Sequence, residues 1–266
     1  MKSTAPVGAR RGIPLRAVAP NAVTALALCS GLTAVRFAIA GEWERALAAI
    51  IIAGVLDGLD GRIARLLKGE SRFGAELDSL SDVIAFGVAP ALVTFLWSLN
   101  AVPRYGWIFS LAYTVCAALR LARFNAAIDT ADQPHKSAGF LTGIPAPAAA
   151  GLALLPIYLW LVTESHWFRE PYVAGPWLAF VAFLMISNLA TFSWGSLRLR
   201  RRIRLEALAG IAILFGALLS APWPTLTLVC VVYLALIPMG MRSYAKIKRL
   251  RATAAMQQQA EFPTTS

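Results

Sequence analysis

The sequence predicts an all-α protein: a polytopic bundle of transmembrane helices with about eight spans, six of them forming the core. Three observations predict it. Charged residues make up only 15% of the 266-residue chain and hydrophobic residues 58%, with a mean hydropathy of +0.63; soluble domains carry about 25% charged residues. Apolar runs recur at the length of about 20 residues that a helix needs to cross the hydrocarbon. Finally, the basic residues are distributed unevenly between alternate connecting segments.

Taken in order, the candidate spans are residues 21–40, 44–66, 77–99, 105–125, 144–163, 173–193, 205–221 and 223–242. The first opens at Pro20-Asn21-x2-Thr24, which reads as a helix-cap signal. The second and third are unusual in carrying aspartates. The fourth ends in ALRLARFNAA. The fifth follows GIPAP, where Pro145 and Pro147 shape the entry. The last two are joined by SAPWP, and if they do not cross, six spans remain. Of the 25 lysines and arginines, 21 fall on the side of the N-terminal tail and three (Arg45, Arg104 and Arg169) on the other; Arg36 lies inside the first span. Such a bias marks the first side as cytoplasmic and puts both termini there.

Residues 1–19 are basic and are expected to form an interfacial helix on that face. Residues 20–245 form the membrane domain, and 246–266 a polar, disordered tail. No apolar stretch precedes residue 20, so the N-terminus does not resemble a cleaved signal peptide. The net charge of +11 is assigned to lipid-facing flanks rather than to nucleic acid. Cys29, Cys116 and Cys230 lie singly in apolar runs and read as small hydrophobes. His135 and His166 are isolated loop residues.

The informative stretch is 57–82, DGLDGRIARLLKGESRFGAELDSLSD. One ionised side chain near the bilayer centre costs about 2.5–3.5 kcal/mol, so four facing lipid would cost on the order of 10 kcal/mol. Asp57 and Asp60 share one face of the second span, and Asp78 and Asp82 share one face of the third. The two spans run antiparallel, so the four carboxylates can converge. Clustered carboxylates repel unless protonated or bridged by cations. Hard oxygen ligands in this number suit Mg²⁺ or Mn²⁺ in a two-metal site. Gly58, Gly61, Gly74 and Ala64 leave room beside the carboxylates for a bulky phosphorylated ligand; close helix packing is the other reading. A calcium loop is excluded, because the twelfth position from Asp57 is Lys68 rather than glutamate.

The pattern Asp57-x2-Asp60-Gly61-x2-Ala64-Arg65-x8-Gly74-x3-Asp78-x3-Asp82 resembles, without departure, the signature of the CDP-alcohol phosphatidyltransferases. The resemblance implies an integral-membrane enzyme that displaces CMP from a CDP-linked lipid with an alcohol. It implies that Asp57, Asp60 and Asp78 ligate two divalent cations. It makes Asp82 the general base, also in contact with a metal, and places Gly61, Ala64 and Arg65 on the nucleotide side. SRFGAELDSLSDVIAFGVAPALV, ALRLARFNAA and GFLTGIPAPAAAG are similar to the serine-accepting branch found in bacterial membranes. That similarity covers about residues 20–151. It implies CDP-diacylglycerol and L-serine as substrates, a bacterial inner membrane with the active site facing the cytoplasm, and a homodimer.

Around this core, Asn21, Thr24, Gly74, Lys68 and Arg72 are candidate contacts to CDP-diacylglycerol. Arg120, Arg123 and Asn125 are candidate contacts to serine through its carboxylate. Ordinary positive-inside flanking is the alternative for the basic residues. Two other functions stay open: the same chemistry with glycerol 3-phosphate, choline or inositol phosphate as acceptor, and a cation-coupled transporter. Transporter acids usually sit at broken helices in related halves, and no second half mirrors this hairpin.

Overall fold

A computed structural model describes residues 15–69, 71–128, 140–187, 190–192 and 204–239. Its helices are α1 (Leu15–Ile39), α2 (Trp43–Leu67), α3 (Arg72–Asp82), a π-helical turn (Val83–Val88), α4 (Ala89–Trp97), α5 (Pro103–Ile128), α6 (Ala146–Ala153), α7 (Leu155–Thr163), α8 (Pro171–Ile186) and α9 (Arg204–Ser220). A further helix, α10, covers Pro222–Met239. Among the described residues, five stretches are long and apolar enough to cross a membrane: Val18–Ile39, Arg72–Trp97, Pro103–Ala126, Ala146–Thr163 and Pro222–Met239. Helix α2 has the length, 25 residues, but it carries the first two aspartates. The apolar parts of α8 and α9 are shorter. Helices of this kind make the chain an integral membrane protein.

Prolines set several of the breaks, and neighbouring helices take over the carbonyls they release. Pro90 has no N–H to offer Phe86, four residues back; the Tyr113 hydroxyl of α5 donates to the Phe86 carbonyl at 3.0 Å. Pro156 likewise leaves Leu152, and the Trp177 indole of α8 donates to the Leu152 carbonyl at 2.7 Å. In a medium without water such freed groups must be satisfied internally. The third predicted span is therefore one rod in three parts, α3, the π turn and α4, and the fifth is α6 and α7 joined at Leu154.

Two expectations are corrected at the N-terminus. Pro20 lies inside α1, so Pro20-Asn21-x2-Thr24 does not open the helix, and the boundary expected at residue 20 falls within it. Residues 15–19 are continuous with α1; the rest of the expected interfacial segment and the 246–266 tail lie outside the described residues. The fold also departs from all-α at one point. Phe140–Thr142 pairs antiparallel with Ala190–Phe192, in the register Phe140↔Phe192 and Thr142↔Ala190. Gly143 follows at φ +74, where a Cβ would come 2.7 Å from the Met185 carbonyl, so only glycine fits that turn.

Small residues bring α1, α2 and the π turn close together. A Cβ on Gly31 would sit 2.9 Å from the Ala85 backbone. Ala53, Ala85, Phe86, Leu121, Ala146 and Ala150 form a separate small cluster; Ala53, Ala85 and Phe86 adjoin the aspartates in sequence, and α5 and α6 supply the rest. The larger core lies beyond it, among α2, α4, α5, α6, α7 and α8, around Leu47, Trp97, Tyr113 and Tyr158.

Candidate active site and metal centre

The aspartate hairpin is closed by local capping. Lys68 ends α2 in the left-handed region at φ 50, and the Gly69 N–H bonds the Ala64 carbonyl at 3.0 Å, a helix stop with lysine in the position that glycine usually takes. Ser71 caps α3 by accepting from the Gly74 N–H at 3.0 Å. The turn returns α3 along α1, which packs against both α2 and α3, and brings the carboxylates of the two helices together. Asp57, Asp60 and Asp78 each offer an oxygen, and these atoms all lie within 4.8 Å of one another. Asp82 lies within electrostatic reach of Asp57, so the fourth aspartate adjoins the group.

The cluster has the makings of a cation site. Asp78 Oδ1 is buried and has no hydrogen-bond partner, a costly state for a carboxylate oxygen unless something binds it. Among the described residues, no lysine or arginine forms an ion pair with any of the four aspartates. The ion pair present joins Arg45 and Glu42 at 2.5 Å, at the other end of α2. An all-carboxylate donor set suits a hard divalent cation, so the residues fit the implied metal.

The nearby candidates divide by what holds them. Thr24 is buried, and its hydroxyl donates to Asp60 Oδ2 at 2.6 Å; the same hydroxyl is 3.2 Å from the Pro20 carbonyl. The single hydroxyl proton is engaged by the shorter bond, to Asp60. Ser81 on α3 donates to the Thr24 carbonyl at 3.3 Å, tying α1 to the hairpin. Gly74 is needed for packing: a Cβ there would approach Asn21 Oδ1 to 2.8 Å and Ser71 Oγ to 3.1 Å. Gly58 and Gly61 are different, since a Cβ on either would meet nothing within 4 Å. Arg65, Lys68 and Arg72 are exposed around the hairpin turn, and Ala64 is half-buried.

On α5, Arg120 is 9% exposed and lies within electrostatic reach of Asp82. Arg123 donates to the Ile186 carbonyl at 3.2 Å. Asn125 donates to Ser79 Oγ at 2.8 Å, which fixes α5 against α3 beside Asp78. The sequence reading missed Ser79, Ser81, Tyr113 and Tyr233. Each is a hydroxyl inside an apolar or site-bearing helix, and only three-dimensional placement distinguishes it from an ordinary core residue.

The sequence model for "CDP-alcohol phosphatidyltransferase" matches residues 17–194, and that for "CDP-alcohol phosphatidyltransferase 2" matches residues 202–238. The chain is 37% identical over 234 residues to the CDP-diacylglycerol–serine O-phosphatidyltransferase of Mycobacterium tuberculosis (strain H37Rv), covering 88% of this chain and 81% of the relative. The protein of the same name from Helicobacter pylori (strain J99) is 34% identical over 205 residues, covering 76% and 83%. That from Saccharomyces cerevisiae is 34% identical over 130 residues, covering 46% of each. The first of these matches spans all four aspartates and extends through most of the helical bundle, and with the signature intact the chain belongs to the CDP-alcohol phosphatidyltransferase family.

Proposed function

We propose that this protein transfers the phosphatidyl group of CDP-diacylglycerol to the hydroxyl of L-serine, giving phosphatidylserine and CMP. One observation carries the chemistry: three carboxylates from a single antiparallel helix pair meet, with an unpartnered oxygen on Asp78. The serine acceptor is supported by relatives that bear that name over most of their length.

In this reading Asp57, Asp60 and Asp78 hold two divalent cations, Mg²⁺ or Mn²⁺, with Asp82 at the edge of the cluster. When bound, the cations neutralise the diphosphate and its developing charge. Thr24 keeps Asp60 in its ligating orientation, as outer-shell partners do. Gly61 and Ala64 leave space for the nucleotide, and Arg65, Lys68 and Arg72 supply positive charge at the turn. The serine hydroxyl attacks the phosphorus that bears diacylglycerol, and Asp82 accepts its proton. The bond from that phosphorus to the bridging oxygen breaks, and CMP leaves with that oxygen. The apolar helices support a site at one membrane face. The basic asymmetry supports the cytoplasmic face of a bacterial inner membrane, eight crossings and cytoplasmic termini. The family resemblance supports a homodimer.

The test is direct. Purified protein with CDP-diacylglycerol, Mn²⁺ and labelled L-serine releases CMP and forms labelled phosphatidylserine. Turnover with glycerol 3-phosphate or inositol phosphate, and none with serine, would leave the chemistry standing and replace the acceptor.

A further inference from the structure

Two buried hydrogen-bond donors, one of them near Asp82, have nothing to bind. Arg120 Nε and the Tyr233 hydroxyl are both buried and without a hydrogen-bond partner. They come from α5 and α10, more than a hundred residues apart, yet each lies within electrostatic reach of the other. The other polar candidates on α5 are engaged: Arg123 with the Ile186 carbonyl and Asn125 with Ser79. Asp82 is near Arg120 but forms no ion pair with it among the described residues. A guanidinium and a phenol, both left as donors in a dry setting, call for an anionic oxygen.

We propose that Tyr233 and Arg120 together grip the carboxylate of the acceptor, so that α10 completes the acceptor subsite and helps to select serine. This rests on the serine reading above. Two anions are available near the site, the acceptor's carboxylate and the lipid's phosphates. The phosphates belong at the Asp57–Asp60–Asp78 side, where cations fit. Arg120 lies by Asp82, the group that takes the hydroxyl proton, and in serine the carboxylate carbon is three bonds from that hydroxyl oxygen. Tyr233 also lines an apolar cavity of about 240 Å³ with Gly54, Phe86, Gly151 and Cys230, so α10 packs close to α2, the π turn and α6.

The experiment compares wild type with Tyr233→Phe and Arg120→Lys in detergent with Mn²⁺. A donor built for a substrate oxygen costs about tenfold or more in KM when removed. The expected result is a serine KM raised by about tenfold or more in each variant, while the KM for CDP-diacylglycerol stays within about twofold. The wild-type preference for serine over serinol, which lacks the carboxylate, narrows in both variants. Stabilisation against heat by CDP-diacylglycerol with Mn²⁺ persists, and stabilisation by serine shrinks, which also reads out any variant too slow to assay. An unchanged serine KM overturns the proposal, and a raised CDP-diacylglycerol KM assigns the pair to a lipid phosphate instead. If wild type does not use serine at all, the proposed function fails and this inference fails with it.

Discussion

The same two rods carry charge at both ends, and the two ends are built in opposite ways. At one end Arg169 donates from Nε to the Trp97 carbonyl at 2.9 Å. Its guanidinium lies over Trp43 at 6.0 Å and Trp160 at 5.7 Å, and its carbonyl accepts from Ser98 Oγ at 2.6 Å. Roughly 20–25 Å along α2, at 1.5 Å per residue, the aspartates crowd one another and leave Asp78 Oδ1 unpartnered. Arg169 is exposed, and its internal contacts tie α2, α4 and α7 together. Among the aspartates, Asp60 has the Thr24 hydroxyl, but Asp78 Oδ1 has no partner in the protein. A charge in an apolar bundle is structural where its partners are internal and functional where they are missing.

The largest test of that contrast is Asp78→Asn. Metal-borne stabilisation amounts to several kcal/mol, and each 1.4 kcal/mol is tenfold, so turnover falls by about a thousandfold or more. Removing a negative charge from a repelling group also raises the melting temperature measured in EDTA, while the rise that Mn²⁺ gives the wild type is lost. A variant that keeps full turnover would end the metal assignment. Next comes Thr24→Val, which deletes the donor to Asp60 and keeps the shape. Outer-shell losses of this kind cost about 10–100-fold in metal affinity or activity, so the Mn²⁺ concentration for half-maximal turnover shifts upward by that order. A shift in CDP-diacylglycerol KM alone would return Thr24 to the nucleotide. Arg169→Ala is smaller and of the other kind. It strands the Trp97 carbonyl and removes two ring contacts, for a loss of about 1–2 kcal/mol of stability, with kcat and KM of the folded protein unchanged.

The sequence was most legible where physical cost is greatest. Aspartates in a spanning run have to converge, so Asp57, Asp60 and Asp78 could be placed before any coordinates. Helix-length apolar runs were readable for the same reason. Less legible was anything that depends on what stands opposite. Asn125 reads as a ligand in ALRLARFNAA, but Ser79 occupies it; Gly74 reads as space for a ligand, but Asn21 fills that space. Thr24 looks like a cap after Pro20, because the helical turns before it include Arg16 and lack a clear apolar period. The π turn was hidden too, since VIAFGV reads as an ordinary apolar helical run and the Tyr113 hydroxyl that meets the Phe86 carbonyl comes from another helix. Tyr233 sits in LVCVVYLALIP and looks like any membrane-helix aromatic until Arg120 is seen near it.

The finest comparison is between two glycines of the signature, Gly61 and Gly74. Alanine is favoured over glycine in a helix interior by about 0.8–1 kcal/mol. At Gly61 a Cβ would touch nothing within 4 Å, so Gly61→Ala raises the melting temperature of the unliganded protein. If that empty space receives the nucleotide, the same variant raises the KM for CDP-diacylglycerol by a few-fold to about tenfold, with the serine KM unmoved. At Gly74 the added methyl must displace the Asn21 amide and crowd the Ser71 cap, so the propensity gain is cancelled and the melting temperature does not rise. Thermal unfolding with and without CDP-diacylglycerol separates the two. A Gly61→Ala protein that is stabler and binds the liponucleotide as wild type does would show that the gap beside Asp60 is not where the substrate lies.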